Sequence, residues 1–175
     1  KSDTSFLTGF ANGRVELEER SPLTILADLS LDSLSLMGNR MGDIHARAHH
    51  TDPDHIGVDI GLQGYGNDLA LTGSLDVKQQ RPALRLDVRS LNLAMAEPFA
   101  KEYIAGTRGK LKGGLDINGS FANPAIVGEL RFDSAATTVK LLNMDLKIPD
   151  GGMLMSEDGI SLDRFVILDS AGNSA

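Results

Sequence analysis

The chain has 175 residues, of which 41% are hydrophobic and 23% are charged, a composition that fits a folded domain and argues against intrinsic disorder. Its formal net charge of −7 opposes binding along a nucleic-acid backbone. No apolar run approaches the roughly 20 residues of a membrane helix. The absence of cysteine excludes disulfides, thiolate catalysis and zinc–thiolate sites.

The length suits one domain. The chain begins at Lys1 rather than Met, and it stops soon after an apolar run. We therefore interpret residues 1–175 as a single domain cut from a longer, elongated β protein.

Apolar residues alternate with polar ones through most of the chain, which predicts β-strands. In chain order the alternating runs are 23–36, 44–48, 56–62, 69–77, 84–88, 111–119, 130–132, 142–148, 160–162 and 165–168. Turn signals lie at 38–39, 51–54, 64–68, 81–82, 123–124, 149–152 and 157–159. Phase slips near Asp32 and Ser90 predict bulges. The pattern predicts an all-β antiparallel meander of about ten strands.

One segment, residues 94–105, favours a helix, with Pro98 near its start and Gly106 as its stop signal. Such a helix is about 15 Å long. It cannot cover a ten-strand sheet that is about 48 Å wide at ~4.8 Å per strand.

The apolar side of the predicted sheet needs a cover, because it carries large aliphatic side chains in every strand. The sheet can close into a barrel, split into a sandwich or curl into an open trough. Glycine alternates with leucine on this side, in Leu71-x-Gly73-x-Leu75 and again in Leu111-x-Gly113-x-Leu115. Glycine within a strand is typical of a tight bend or a close approach. We therefore favour an open trough with one short helix, and a sandwich or adhesin-like module with a sealed core remains the alternative.

The open trough predicts a binding groove for apolar cargo, lined by inward-facing side chains of the central and later strands. These are Leu69, Leu71, Leu75, Val77, Leu84, Leu86, Val88, Leu111, Leu115, Ile117, Leu130, Phe132, Leu146 and Ile148.

Two polar clusters are candidates for further sites. The first combines histidines with an acidic turn: His45, His49, His50, His55, Asp52 and Asp54. It spans a strand and a turn without fixed ligand spacing, so we interpret it as a solvated face and predict no metal. The second is basic: Lys101, Arg108, Lys110 and Lys112. It lacks a phosphate-binding loop motif, so a solvated strand face is favoured over contact with lipid headgroups.

Catalytic motifs are absent from the sequence. It contains no Gly-x-Ser-x-Gly elbow and no His-Glu-x-x-His pair. We therefore predict that the chain is not an enzyme and needs no cofactor.

Residues 107–132 read TRGKLKGGLDINGSFANPAIVGELRF. This stretch resembles a recurring pattern of the TamB family, in the AsmA-like superfamily: G-x-L-x-G-x-L-x-I-x-G-(S/T), then a proline turn and G-x-L. Leu91-Asn92-Leu93 with Pro98-Phe99 resembles the family's lead-in, and residues 162–173 resemble its closing D-x-x-G-N strand pair.

The resemblance implies a β-taco-like trough in the periplasmic part of an inner-membrane-anchored protein of a diderm bacterium. It implies that phospholipid acyl chains, unfolded outer-membrane protein strands, or both are shielded during transport or assembly between the two membranes. Through the full-length protein, it also implies a TamA-like outer-membrane barrel as partner. No nucleic-acid partner is expected.

Overall fold

The computed structural model describes residues 7–18, 24–164 and 166–168. These form ten strands and one 3₁₀ helix. The elements are β1 (Leu7–Glu18), β2 (Thr24–Leu36), β3 (Asn39–Asp52), β4 (His55–Gly64), β5 (Asn67–Asp76), β6 (Arg81–Asn92), the 3₁₀ helix (Leu93–Phe99), β7 (Ile104–Gly119), β8 (Pro124–Val139), β9 (Met144–Ser156) and β10 (Gly159–Asp163).

Each strand pairs antiparallel with its neighbours in the chain, so the sheet order is β1 to β10 without a crossover. Across the part of the chain that is described, β1 and β10 form the two edges and do not pair with each other. The fold is therefore an all-β open trough made from one meander, as predicted. The alternative of two packed sheets is wrong, because there is one sheet.

Glycines on the apolar side let neighbouring strands approach closely. Gly73, Gly113 and Gly128 have φ of 139°, 141° and 148°, a backbone region that side chains disfavour. A Cβ on any of them would meet the backbone of the facing strand. The Leu-x-Gly-x-Leu pattern therefore marks close strand approach, as expected from the sequence.

Both predicted bulges are present. The pairing of β2 with β3 shifts between Leu31 and Leu34, where Ser33 has a φ of 54°. The Ser33 amide donates to Asp43 Oδ1 at 2.7 Å, which holds the irregular turn in place. The second bulge shifts the pairing of β6 with β7 between Val88 and Leu91.

The buried core is small. Among the described residues, the buried apolar side chains are Leu34, Pro82, Val88, Leu115, Leu130 and Ala135. Other large apolar side chains are exposed: Leu29 by 43% and Ile160 by 66%. Both observations agree with a sheet whose apolar side is only partly covered.

The helix is shorter and tighter than the one predicted over 94–105. Pro98 contributes no N–H, and the Ala100 amide bonds to the Glu97 carbonyl at 3.1 Å, a three-residue step. By Ile104 the chain is already in β7. Residues 101–103 form a turn, and strand pairing with β8 outweighs the helix preference of Ile104 and Ala105.

The predictions at the two ends of the chain need correction. Strand β1 was not predicted, and the predicted turn at 149–152 lies within β9. The predicted run 165–168 contributes one bridge, in which Leu168 and Lys147 exchange backbone hydrogen bonds of 2.9 Å. The Leu168–Lys147 bridge has the same register as the pairing of β10 with β9, so Leu168 lies on the continuation of β10. The pairing is interrupted opposite Pro149, which has no N–H to donate. Residues 23, 165 and 169–173, which include the D-x-x-G-N motif, lie outside the described residues.

Candidate functional site

Two apolar rows cross the whole sheet on its inner side, each taking one residue from every strand. The first row is Ala11, Leu31, Ile44, Leu62, Leu69, Val88, Gly113, Leu130, Met153 and Leu162. The second row is Gly13, Leu29, Ala46, Ile60, Leu71, Leu86, Leu115, Gly128, Met155 and Ile160. Neither row contains a polar residue. At strand spacing each is about 43 Å long.

Most of the predicted groove residues lie in or beside these rows. Leu69, Val88 and Leu130 are in the first row, and Leu71, Leu86 and Leu115 are in the second. Leu84 pairs with Ile117 and Leu111 with Phe132 on either side of them, while Leu75 lies farther out opposite Pro82. Val77 is set apart: it follows β5 in a turn, is 44% exposed, and its amide donates to the Asp54 carbonyl at 2.9 Å.

Three of the predicted groove residues form the floor of the trough. Val88, Leu115 and Leu130 pack on one another and are at most 8% exposed. Elsewhere the inner side is more open: Ile126 is 39% exposed, and Leu162 is 59% exposed. A bound guest would therefore contact the walls and the outer strands rather than the floor.

A cavity of about 240 Å³ lies between the 3₁₀ helix and strands β7 to β9. It is lined by Leu93, Ala96, Thr107, Arg108, Phe132, Ala135, Ala136, Thr137, Leu146, Ile148 and Ile167. Three predicted groove residues (Phe132, Leu146 and Ile148) meet here. The cavity exceeds the ~150 Å³ that holds a benzene molecule in an engineered protein core. It is therefore large enough for a short stretch of hydrocarbon.

Sequence reasoning missed Ala135 and Thr137 of the cavity lining because the inner side of β8 changes phase at Ser134. This residue has a φ of 53°. Before it the inner side chains of β8 are Leu130 and Phe132, and after it they are Ala135 and Thr137. The inward-facing Leu29, Ile44 and Ile60 of earlier strands were visible in the alternation, but they were not included in the predicted groove.

The outer side of the sheet carries ion pairs between neighbouring strands. Arg47 of β3 contacts Asp28 of β2 at 3.2 Å, and Arg85 of β6 contacts Asp116 of β7 at 3.0 Å. Arg85 also contacts Asp87 of its own strand at 3.0 Å. The hydrogen bond and charge of Asp116, followed by the charge of Asp87, raise the pKa of Arg85. The outer charges are thus matched locally, and the two sides of the sheet differ sharply in chemistry.

The basic cluster predicted from the sequence is divided by a bulge. Gly109 has a φ of 102°, and the pairing of β7 with β8 shifts there. Arg108 lines the inner cavity, and its Nη1 lies 3.5 Å from the Gly106 carbonyl. Lys112 instead pairs with Asp133 at 2.6 Å, which lowers the pKa of that carboxyl. One cation of the cluster therefore faces the apolar cavity, whereas another is part of the ion-paired surface.

The histidine cluster is mostly an exposed surface. His45 and His49 are exposed. His55 Nδ1 lies 2.9 Å from Asp52 Oδ1, and this hydrogen bond raises the pKa of His55 and lowers that of Asp52. Within the described ranges, no group of three or more His, Cys, Asp or Glu side chains is placed to hold a metal ion.

No helix in the described part of the chain combines the length and the apolar character needed to cross a membrane. Comparisons of the chain with protein-family models, with curated proteins and with solved structures find no match.

Proposed function

We propose that this chain is a carrier module whose apolar trough shields phospholipid acyl chains. The observation that carries the proposal is the pair of uninterrupted apolar rows on the open inner side. In line with the resemblance to the TamB family, we propose the periplasmic part of an inner-membrane-anchored protein as its setting. A TamA-like outer-membrane partner would then be reached through the full-length protein.

The dimensions and energies of the trough fit this role. A bilayer's hydrocarbon core is about 30 Å thick, so one acyl chain spans about half of that, well within a row of about 43 Å. A length of ten methylenes would gain about 8 kcal/mol if fully covered, at ~0.8 kcal/mol each. Half coverage in an open trough leaves about 4 kcal/mol, an affinity near 1 mM rather than 1 μM. Such weak, non-directional binding suits a cargo that must move along the rows.

Two adjacent residues provide a matched test. Ile126 and Val127 are both β-branched and both 39% exposed. Ile126 lies opposite Ile117 on the inner side, and Val127 lies opposite Asp116 on the outer side. We expect Ile126→Asp to weaken binding of the fluorescent fatty acid cis-parinaric acid by more than about tenfold, because it places a charge under the acyl chain.

Val127→Asp is the control and should leave the affinity for cis-parinaric acid within about twofold, since it changes only the solvated side. Both variants should keep the β-sheet signal in circular dichroism. Equal affinities for the two variants, or no binding by the unaltered chain, would contradict the proposal.

Unfolded outer-membrane protein strands are a second candidate cargo. The strands β1 and β10 each have one edge without a paired strand among the described residues. Such edges can accept an extended peptide through backbone hydrogen bonds. A peptide from an outer-membrane strand that protects β1 or β10 amides from hydrogen exchange would support strand capture. If cis-parinaric acid binds and the peptide protects no β1 or β10 amides, lipid is supported as the cargo.

A further inference from the structure

One of the two edges of the sheet at which the strands turn exposes a cluster of large apolar side chains, which we call the apolar tip. It consists of Phe99, Tyr103, Leu141 and Leu142, which are 59%, 68%, 88% and 62% exposed. The cluster is held together by backbone contacts, since the Lys140 amide donates to the Tyr103 carbonyl at 2.8 Å. Exposed apolar clusters of this kind mark interaction surfaces.

The residues around the apolar tip are those of a membrane interface. Lys101 and Lys140 flank it together with Glu102, and Lys140 Nζ donates to the Lys101 carbonyl oxygen. At the same end of the sheet, the Arg40 guanidinium lies 5.7 Å from the centre of the Tyr65 ring. Aromatic rings and leucine with long cations beside them allow the apolar parts to enter lipid while the charges stay at the headgroups.

The opposite turn edge of the sheet, the acidic end, has a different character. Its turns carry Asp52, Asp54, Glu157 and Asp158. Phe121 is an exposed aromatic residue there, at 57%, in the turn between β7 and β8. Lys78, in the turn between β5 and β6 at this end, offsets part of this negative charge through its 3.7 Å contact with Asp54, but the acidic side chains outnumber it. A negatively charged lipid surface would repel the acidic end, which leaves the apolar tip as the end that approaches the bilayer.

The apolar tip is also continuous with the cavity. Phe99 ends the 3₁₀ helix, and Leu93 and Ala96 of the same helix line the cavity. Tyr103 immediately precedes β7, whose Thr107 and Arg108 form another part of the lining. A surface that contacts the apolar tip therefore lies next to the cavity.

We propose that the apolar tip docks on the surface of a phospholipid bilayer and brings the cavity close to the headgroups. Docking itself depends only on the tip, whereas the transfer of an acyl chain into the cavity rests on the function proposed above. Apolar insertion supplies most of the binding, so docking persists on neutral lipid and in high salt.

The test is co-sedimentation with phosphatidylcholine vesicles, with and without phosphatidylglycerol. We expect the unaltered chain to bind both, and the double variant Leu141→Ser with Leu142→Ser to bind about tenfold or more weakly, because two leucines no longer enter lipid. Phe121→Ser, a matched aromatic at the acidic end, should bind as the unaltered chain does. Both sets of residues are exposed, so the variants should fold normally.

The possible outcomes separate this inference from the proposed function. Loss of vesicle binding in the double variant, with cis-parinaric acid binding in solution retained, supports docking by the tip. Vesicle binding without any uptake of cis-parinaric acid supports docking and refutes the carrier role. No vesicle binding by the unaltered chain, or equal binding by the double variant, overturns the proposal. The proposal is also overturned if the double variant binds vesicles normally but no longer forms a dimer that the unaltered chain forms, because the tip would then contact a second copy of the chain.

Discussion

The close approach of β7 and β8 is predicted to require glycine at position 113, and Gly113→Ala tests this. Gly113 sits in the first apolar row between Val88 and Leu130. A Cβ at this position would collide with the Glu129 carbonyl oxygen and would lie 2.9 Å from the Leu130 Cα. The obstacle is backbone on the facing strand, so a side-chain rotation cannot relieve it.

Two effects determine the size of the change. The φ of 141° at Gly113 is a conformation in which a residue with a side chain costs about 1–3 kcal/mol. The steric clash adds to this, because β7 and β8 must separate at the most buried part of the trough, beside Leu130. We therefore expect Gly113→Ala to lower the free energy of unfolding by about 2 kcal/mol or more.

Gly61→Ala is the matched control within another strand of the same sheet. Gly61 does not have a positive φ, and a Cβ there would find its nearest neighbour, the Leu69 carbonyl oxygen, 3.9 Å away. This substitution should be neutral, or stabilising by about 0.4–1 kcal/mol through the unfolded state. Urea unfolding followed by circular dichroism measures both variants. If Gly113→Ala unfolds at the same urea concentration as Gly61→Ala, close strand approach at this glycine is not what shapes the sheet.

Two further predictions concern polar groups. Asn67 is 4% exposed; its Nδ2 donates to the Met41 carbonyl at 2.8 Å and its Oδ1 accepts from the Asn92 amide at 2.9 Å. Asn67→Ala removes the partner of the Met41 carbonyl and of the Asn92 amide, and it should lower the free energy of unfolding in urea by about 1–3 kcal/mol. An unchanged unfolding midpoint would refute this. Asp52→Asn should bring the pKa of His55 down towards its ordinary value in an NMR titration, since Asp52 is the main cause of its rise. The folded pKa of His55 is raised and that of Asp52 is lowered, so the pair stabilises the fold fully between about pH 4 and pH 6.5 and less as pH moves outside this range. An unaltered His55 titration in Asp52→Asn would contradict the assigned cause.

Local periodicity is sufficient to predict the meander, because a strand's two-residue repeat and its bounding turns are both short-range features. The Leu-x-Gly-x-Leu pattern likewise predicts close approach at Gly73 and Gly113. Features that depend on pairing between strands are harder to predict. Pro149 looks like a turn residue in isolation, yet it lies within β9 because its missing N–H faces an interruption of the edge strand.

The cavity shows the same limit more strongly. Its lining runs from Leu93 to Ile167, so it depends on the register of β7, β8 and β9 together. The phase change at Ser134 moves Ala135 and Thr137 to the inner side, against the alternation that precedes them. Arg108 is brought to the cavity by the bulge at Gly109. Each of these depends on a backbone conformation that the hydrophobic pattern does not encode.

The separation between floor and walls explains how an open trough can be both stable and available to a guest. Val88, Leu115 and Leu130 bury one another through curvature, and the glycines in the same two rows allow that approach. The side chains that remain open, such as Ile126 and Leu162, contribute less to folding because water still reaches them. Substitutions there can remove binding without unfolding the sheet, whereas Leu115→Asp places a charge in the floor and should unfold it. The floor residues thus stabilise the fold, whereas the exposed residues of the same apolar surface are available for binding.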